Sequence, residues 1–232
     1  MKEKILVVDD DKEILNLISI YLINEGYEVV KALNGYEALE KLNENPQLLI
    51  IDVMMPDING IEVCKIVRQS LNIPIIMLSA KVQNIDKIEG ILAGADDYIT
   101  KPFDQLEFIV RVRALIRRTY LFNNNLPFNK DEDLLTIGDL TINKSTHSVV
   151  VNNDPIILTS TEFEILYLLA DNAGKVFSSE ELFEKVWKEQ YFQTNNTVMV
   201  HISNLRNKLE NHLNGVKIIH TVWGVGYKIE KK

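Results

Sequence analysis

Cysteine, long apolar runs and surplus basic charge are what this 232-residue chain lacks. Its one cysteine, Cys64, cannot build a disulfide framework, and it lies in the amphipathic run Gly60-Ile61-Glu62-Val63-Cys64-Lys65-Ile66-Val67-Arg68, where a small core residue is expected rather than a reactive thiol. No stretch approaches the ~20 consecutive apolar residues of a spanning helix, and the start Met1-Lys2-Glu3-Lys4-Ile5-Leu6-Val7-Val8 is too charged, with too short an apolar part, for a signal peptide. The expectation is a soluble cytoplasmic protein. The net charge is −8, and residues 134–232 carry 10 basic against 11 acidic side chains, so no basic patch announces nucleic acid. What is present is 46% hydrophobic residues in a chain long enough for one large domain or two ordinary ones.

The first half turns on Leu48-Leu49-Ile50-Ile51-Asp52, followed by Val53-Met54-Met55-Pro56-Asp57. Four aliphatic residues that end in one carboxylate and a Pro/Asp/Asn/Gly turn read as a strand buried on both faces and finishing at Asp52. Around it, aliphatic strands at Ile5–Val8, Tyr27–Ala32, Ile73–Leu78 and Asp97–Ile99 alternate with amphipathic helices at Tyr36–Asn43, Ile61–Gln69, Ile85–Ala93 and Gln105–Arg118. The first helix carries Ile14, Leu15, Leu17, Ile18, Tyr21 and Leu22 on one face and stops at Gly26. This five-fold alternation implies a five-stranded, doubly wound parallel sheet of α/β class. Asp9, Asp10, Asp52, Ser79 and Lys101 all fall at strand ends, on the rim where such sheets bind ligands. Asp11 reads as a helix cap only.

Clustered carboxylates repel by ~1 kcal/mol per pair at 4 Å in water and ~4 kcal/mol at an effective dielectric of 20, so a cation between them is expected. Oxygen ligands alone select a hard ion, Mg2+. A metal at Asp10 and Asp52, the Ser79 hydroxyl and the Lys101 ammonium would suit a phosphoryl group that the free Asp52 oxygen attacks in line.

The runs Ile5-Leu6-Val7-Val8-Asp9-Asp10, Ile51-Asp52-Val53-Met54-Met55-Pro56-Asp57-Ile58-Asn59-Gly60, Leu78-Ser79-Ala80 and Gly94-Ala95-Asp96-Asp97-Tyr98-Ile99-Thr100-Lys101-Pro102-Phe103 resemble the flavodoxin-like receiver domain of two-component response regulators. The resemblance implies Asp52 as phosphoacceptor and Asp9 and Asp10 as the acidic pair. It implies the Met54 main-chain carbonyl as a third metal ligand, Ser79 and Tyr98 as the switch pair, and Lys101 as the lysine before a cis bond at Pro102. A Thr is more usual where Ser79 stands. Lys87, Asp97, Glu107 and Arg111 resemble the charged face through which one subfamily dimerises, with Ala93 where a further acid is common. Taken without the resemblance, Asp96 and Asp97 read as a solvated turn, and Asp57 and Asn59 as turn chemistry before Gly60.

Residues 119–133, with Asn123-Asn124-Asn125, Pro127 and Lys130-Asp131-Glu132-Asp133, read as a linker between domains at 1–118 and 134–232. Beyond it, short alternating segments at Leu135–Ile137, Leu140–Ile142, Ser148–Val151 and Ile156–Leu158 suggest a small antiparallel sheet. Helices are expected after Thr159-Ser160-Thr161-Glu162, after Ser178-Ser179-Glu180-Glu181, and over Thr194 to Leu209, where Val198, Ile202, Leu205 and Leu209 keep helical spacing. A hairpin around Trp223-Gly224-Val225-Gly226 completes a winged helix-turn-helix order of α+β class.

Leu158-Thr159-Ser160-Thr161-Glu162-Phe163, Val200-His201-Ile202-Ser203-Asn204-Leu205-Arg206-Asn207-Lys208-Leu209 and Thr221-Val222-Trp223-Gly224-Val225-Gly226-Tyr227 resemble the DNA-binding domain of the OmpR/PhoB subfamily. The resemblance implies that Asn196, Met199, Val200, Ser203 and Asn204 face base edges in the major groove. It places Thr197, His201, Arg206, Thr221, Trp223 and Tyr227 toward phosphate and sugar. His201 also reads as a packing residue, and Trp223 equally as a core anchor of the wing. Arginines are common in the family at Ser203, Asn204 and Trp223, so a shallow salt slope is expected; Asn with adenine and Met199 or Val200 with thymine methyls point to an A/T-leaning site. Asn195-Asn196-Thr197 and the stretch from Thr221 to Ile229 look most like regulators of vancomycin-type glycopeptide resistance. The implied partners are a sensor histidine kinase, double-stranded promoter DNA, RNA polymerase and a second copy of the chain. Two other readings are an aspartate-nucleophile phosphatase, which would need a carboxylate where Met54 stands, and a C-terminal domain that binds protein.

Overall fold

The computed structural model describes residues 2–80, 84–117, 119, 134–188, 197–213 and 215–230, and only the backbone of residues 84–87. The chain divides into two compact units, residues 1–116 and 117–232.

The first unit alternates strand and helix: β1 (Lys4–Val8), α1 (Lys12–Asn24), β2 (Glu28–Ala32), α2 (Gly35–Lys41), β3 (Leu48–Asp52), α3 (Gly60–Arg68), β4 (Ile75–Ser79), α4 (Asn84–Leu92), β5 (Asp97–Thr100) and α5 (Gln105–Ile116). The strands pair in parallel in the order β2-β1-β3-β4-β5. Leu6, Val8, Leu49, Ile51, Ile75 and Met77 pack against Val63, Cys64 and Val67 of α3. Their alternate neighbours Ile5, Val7, Leu48, Ile50, Ile76 and Leu78 are buried too, as a sheet covered on both faces requires. Cys64 is a core residue whose Sγ lies 3.4 Å from the Ala93 carbonyl oxygen, and burial pushes its thiol up to about 12.

Local chemistry sets the helix ends. The Asp11, Asn34 and Asn59 side chains accept from the exposed N–H groups that open α1, α2 and α3. Asp57 takes a left-handed φ of 65° on the loop after β3, the turn role expected of it. Leu17, expected on the buried face of α1, is instead exposed; that face narrows to Leu15, Ile18 and Leu22, with Ser19 bonded back to the Leu15 carbonyl.

The second unit opens with an antiparallel meander of β6 (Leu134–Ile137), β7 (Leu140–Asn143), β8 (Ser148–Val151) and β9 (Asp154–Ile156). The last strand starts and ends two residues before the expected Ile156–Leu158. Asn152 and Asn153 both have positive φ (51° and 69°), which is the type I′ hairpin requirement, and that tight turn pins Val151 opposite Asp154. Pro155, without an N–H, is tolerated because β9 is an edge strand. The helices α6 (Ser160–Asp171), α7 (Ser179–Trp187) and α8 (Thr197–Glu210) follow, and both α6 and α7 begin with a complete capping box, Thr159 with Glu162 and Ser178 with Glu181. The hairpin β10 (Ile219–Val222) and β11 (Gly226–Ile229) closes the unit. Tyr227 and Phe177 exchange backbone hydrogen bonds of 2.8 and 2.9 Å, and a Cβ on Gly226 would stand 1.9 Å from the Phe177 carbonyl oxygen. Only glycine allows this approach.

Candidate functional site

In the first unit, strand register builds the rim. Val8 pairs with Ile51, Asp52 with Leu78, and Ser79 with Thr100, so β1, β3, β4 and β5 finish level with one another. Asp9, Asp52, Ser79 and Lys101 lie at those four ends, beside the point where the strand order reverses around β1. Lys101 Nζ donates to Asp9 Oδ2 at 2.6 Å and lies 3.3 Å from Asp52 Oδ2. Asp9, Asp52 and Ser79 are buried, whereas Asp10 is exposed. Ligand oxygens of Asp9, Asp10 and Asp52 fall within 4.8 Å of one another. Lys101–Pro102 is a cis peptide. Gly60 opens α3 directly beneath this rim, where a Cβ would come 2.2 Å from the Asp52 carbonyl oxygen; the sequence offered only the turn pattern there, not this close approach.

Burial raises the Asp52 carboxyl above the usual carboxylate range; the Lys101 charge opposes the rise and the Asp9 charge adds to it. Asp52 Oδ1 is buried with no hydrogen-bond partner among the described residues. Three carboxylates against one ammonium leave an excess of two negative charges, and the donors are all oxygen. A hard divalent cation fits this set in charge and ligand type. Met54, the expected carbonyl ligand, follows on the loop after β3. Tyr98 is buried, and its ring lies 3.3 Å from where a Cβ on Gly90 of α4 would stand.

Asp96 and Asp97 do not form a solvated turn. Asp96 is fully buried; its Oδ2 accepts from the Ile75 backbone N–H at 3.0 Å and from Arg68 Nη2 at 2.8 Å. Arg68 also donates to the Gly94 and Ile73 carbonyls, so one guanidinium ties the end of α3 to the starts of β4 and β5. Sequence spacing carried no signal for it. Of the expected dimer residues, Asp97 and Arg111 pair at 3.1 Å and Arg111 and Glu107 at 2.9 Å within the chain. The Lys87 side chain lies outside the described residues, and Ala93 is buried.

In the second unit, the expected DNA-facing residues separate into two groups. Met199 and Ser203 are exposed and Asn204 is half-buried, whereas Thr197, Val200 and His201 are buried. The correction follows from helical spacing: His201 lies three residues after Val198 and four before Leu205, inside the core stripe, and its ring centroid is 5.5 Å from that of Trp187. Thr197 and Val200 widen the same face. Asn207, four residues after Ser203, is exposed in line with Met199 and Ser203. Asn196 lies outside the described residues. At the wing, Arg206 Nη2 donates to Thr221 Oγ1 at 2.8 Å and to the Ile219 carbonyl at 2.9 Å, and its guanidinium lies 5.6 Å from the Tyr227 ring centroid. Trp223 is 90% exposed, so it is no core anchor.

A parallel sheet with an acidic, lysine-bridged rim, followed by a unit with three helices and a wing, defines a receiver joined to a DNA-binding regulatory domain. Residues 5–113 match the family described as response regulator receiver domain, and residues 153–229 that described as transcriptional regulatory protein, C terminal. The chain belongs to the response regulators of the OmpR/PhoB type. It is 46% identical over 233 residues to the regulatory protein VanR of Enterococcus faecium, covering 100% of both chains. It is 43% identical to the transcriptional regulatory protein ResD of Bacillus subtilis, covering 98% of this chain and 95% of that one. Among solved structures, the response regulator DrrB, a Thermotoga maritima OmpR/PhoB homologue, aligns over 100% of both chains at 34% identity with a TM-score of 0.53. Like these relatives, the chain is a transcriptional regulator of the two-component type. No described helix is long and apolar enough to cross a membrane.

Proposed function

We propose that Asp52 accepts a phosphoryl group from a sensor histidine kinase and that the resulting acyl phosphate switches promoter binding by the C-terminal unit. The observation that carries this reading is the buried Asp52 Oδ1, free of hydrogen bonds from the described residues, on a rim with Asp9, Asp10 and Lys101. Asp52 Oδ1 attacks phosphorus in line, the donor P–N or P–O bond breaks, and a carboxyl–phosphate bond forms. Lys101 turns from the two carboxylates toward a phosphoryl oxygen, and the Ser79 hydroxyl, at the end of the neighbouring strand, donates to another. Asp9, Asp10, Asp52 and the Met54 carbonyl would hold Mg2+, whose charge would help neutralise the transferring group. Met54 stands where an aspartate-nucleophile phosphatase would carry its second carboxylate, which favours a receiver that accepts the phosphoryl group and at most hydrolyses it slowly over a dedicated phosphatase.

Ser79 and Tyr98 then act as the switch pair, because a phosphoryl group shifts the receiver only by binding one of its states better. Homodimers form through Lys87, Asp97, Glu107 and Arg111, and place two DNA-binding units on promoter repeats beside RNA polymerase in the cytoplasm. The domains in this reading are residues 1–118 and 134–232, joined by 119–133. Met199, Ser203 and Asn204 face base edges, and Arg206, Thr221, Trp223 and Tyr227 the backbone.

Intact mass after incubation with Mg2+ and a small phosphoryl donor tests the chemistry. A base-labile gain of one phosphoryl group on the wild type, absent from Asp52→Asn, is expected. The same gain on both proteins would remove Asp52 from the role.

A further inference from the structure

Sulfur is carried by one cysteine and five methionines. Cys64 and Met77 are 0% exposed and Met55 8%, whereas Met54 and Met199 are each 52% exposed. Met1 lies outside the described residues. The Cys64 thiol, pushed up to about 12 by burial, supplies almost no thiolate to react. Among the described residues, a two-electron oxidant arriving from solvent therefore meets the thioethers of Met54 and Met199 first.

Met54 stands on the loop after β3, two residues beyond Asp52. Burial raises the Asp52 carboxyl, and the Met54 backbone N–H is among the groups that oppose the rise, so the main chain at Met54 adjoins the reacting group. The Met54 side chain is unbranched, with three rotatable bonds, and is half open to water. Its sulfur is a weak acceptor and gives a water molecule little to hold. The sulfoxide carries a polar oxygen instead, at the position where an aspartate-nucleophile phosphatase carries a carboxylate.

We propose that Met54 is an oxidation site for hydrogen peroxide and that its sulfoxide shortens the life of the phosphoryl group on Asp52. This rests on the phosphoacceptor reading above and adds a second chemical input to the same rim. In the first step the Met54 sulfur gives an electron pair to one peroxide oxygen and the O–O bond breaks. The departing hydroxide takes the proton from the transferred oxygen, so sulfur is oxidised by two electrons and the peroxide leaves as water. In the second step the sulfoxide oxygen accepts a hydrogen bond from a water and holds it in line with phosphorus. The water oxygen attacks, the carboxyl–phosphate P–O bond breaks, and Asp52 recovers its carboxylate. Inorganic phosphate leaves, and the proton of the attacking water passes to solvent. The sulfoxide orients this water and takes no proton from it.

The test uses the full-length chain, treated with hydrogen peroxide or left reduced, then phosphorylated with Mg2+ and a small phosphoryl donor. Peptide mass should place an added oxygen on Met54 and Met199 before Met55, Met77 or Cys64. Once the donor is removed, intact mass should show the phosphoryl group leaving the oxidised chain at least about fivefold faster than the reduced one, the scale of one hydrogen bond. Peroxide should leave the rate unchanged in Met54→Leu, which has no thioether there. Met54→Gln, whose amide oxygen stands in for the sulfoxide, should lose the group fast without oxidant. A methionine sulfoxide reductase should return the oxidised wild type to the slow rate. A Met54 that stays reduced while Met199 is converted, equal rates in oxidised and reduced wild type, or the same acceleration in Met54→Leu overturns the proposal and leaves the phosphoacceptor reading standing. If the reduced wild type takes up no phosphoryl group, that reading fails and the oxidation site's role with it.

Discussion

Asp52 is held in an environment that disfavours its resting negative charge. Burial raises its carboxyl, so the folded chain keeps the proton to higher pH than the unfolded chain does. Stability associated with this group is therefore fully present below the unfolded pKa, near 4, and is lost as pH rises through the raised folded value. Asp52→Asn should raise the melting temperature at pH 7, and the gain should vanish toward pH 4. Mg2+ should reverse the order, stabilising the wild type by about 1.4 kcal/mol at ten times its Kd and the variant by less. Calorimetry across pH, with and without Mg2+, measures both effects; an Asp52→Asn gain that persists at pH 4 would contradict the assignment. Asp9, Asp10, Asp52, Ser79 and Lys101 were legible in the sequence because each follows an aliphatic strand. The burial of His201 was legible as its packing reading, whereas the burial of Val200 and the pairing of Asp96 with Arg68 were not, because both depend on the face that packing selects, which a list of residues leaves open.

Among the elements, α6 and α8 are coupled through one carboxylate. Glu162 is buried; its Oε2 accepts from the Thr159 N–H at 2.9 Å and from Lys208 Nζ at 2.7 Å. The capping box was legible as Thr159-Ser160-Thr161-Glu162, whereas the reach to Lys208, 46 residues on, was not. Glu162→Ala should cost about 2 kcal/mol in denaturant unfolding of the C-terminal unit, since it removes a cap and a charged hydrogen bond together. A loss under about 0.5 kcal/mol would show that water replaces both contacts. Strands were legible wherever aliphatic residues ran together or alternated. The boundary error at β9 arose because the left-handed turn at Asn152 and Asn153 sets the pairing, and that backbone choice outweighs the apolar run at Ile156-Ile157-Leu158.

At the scale of the whole molecule, two units meet the requirements of a switch: one with a site that a phosphoryl group can occupy, the other with a helix and a wing for DNA. The near-neutral C-terminal half hid the second role from any charge-based search, and motif order alone made it legible. Coupling between the two sites is the central claim, and the most direct test is the affinity of the full-length chain for a duplex that it selects from a random pool, before and after treatment with Mg2+ and a phosphoryl donor. Phosphorylation should tighten binding by the wild type about tenfold or more and leave Asp52→Asn unchanged. Equal affinity in both states of the wild type, or an Asp52→Asn variant that responds as the wild type does, would contradict the account.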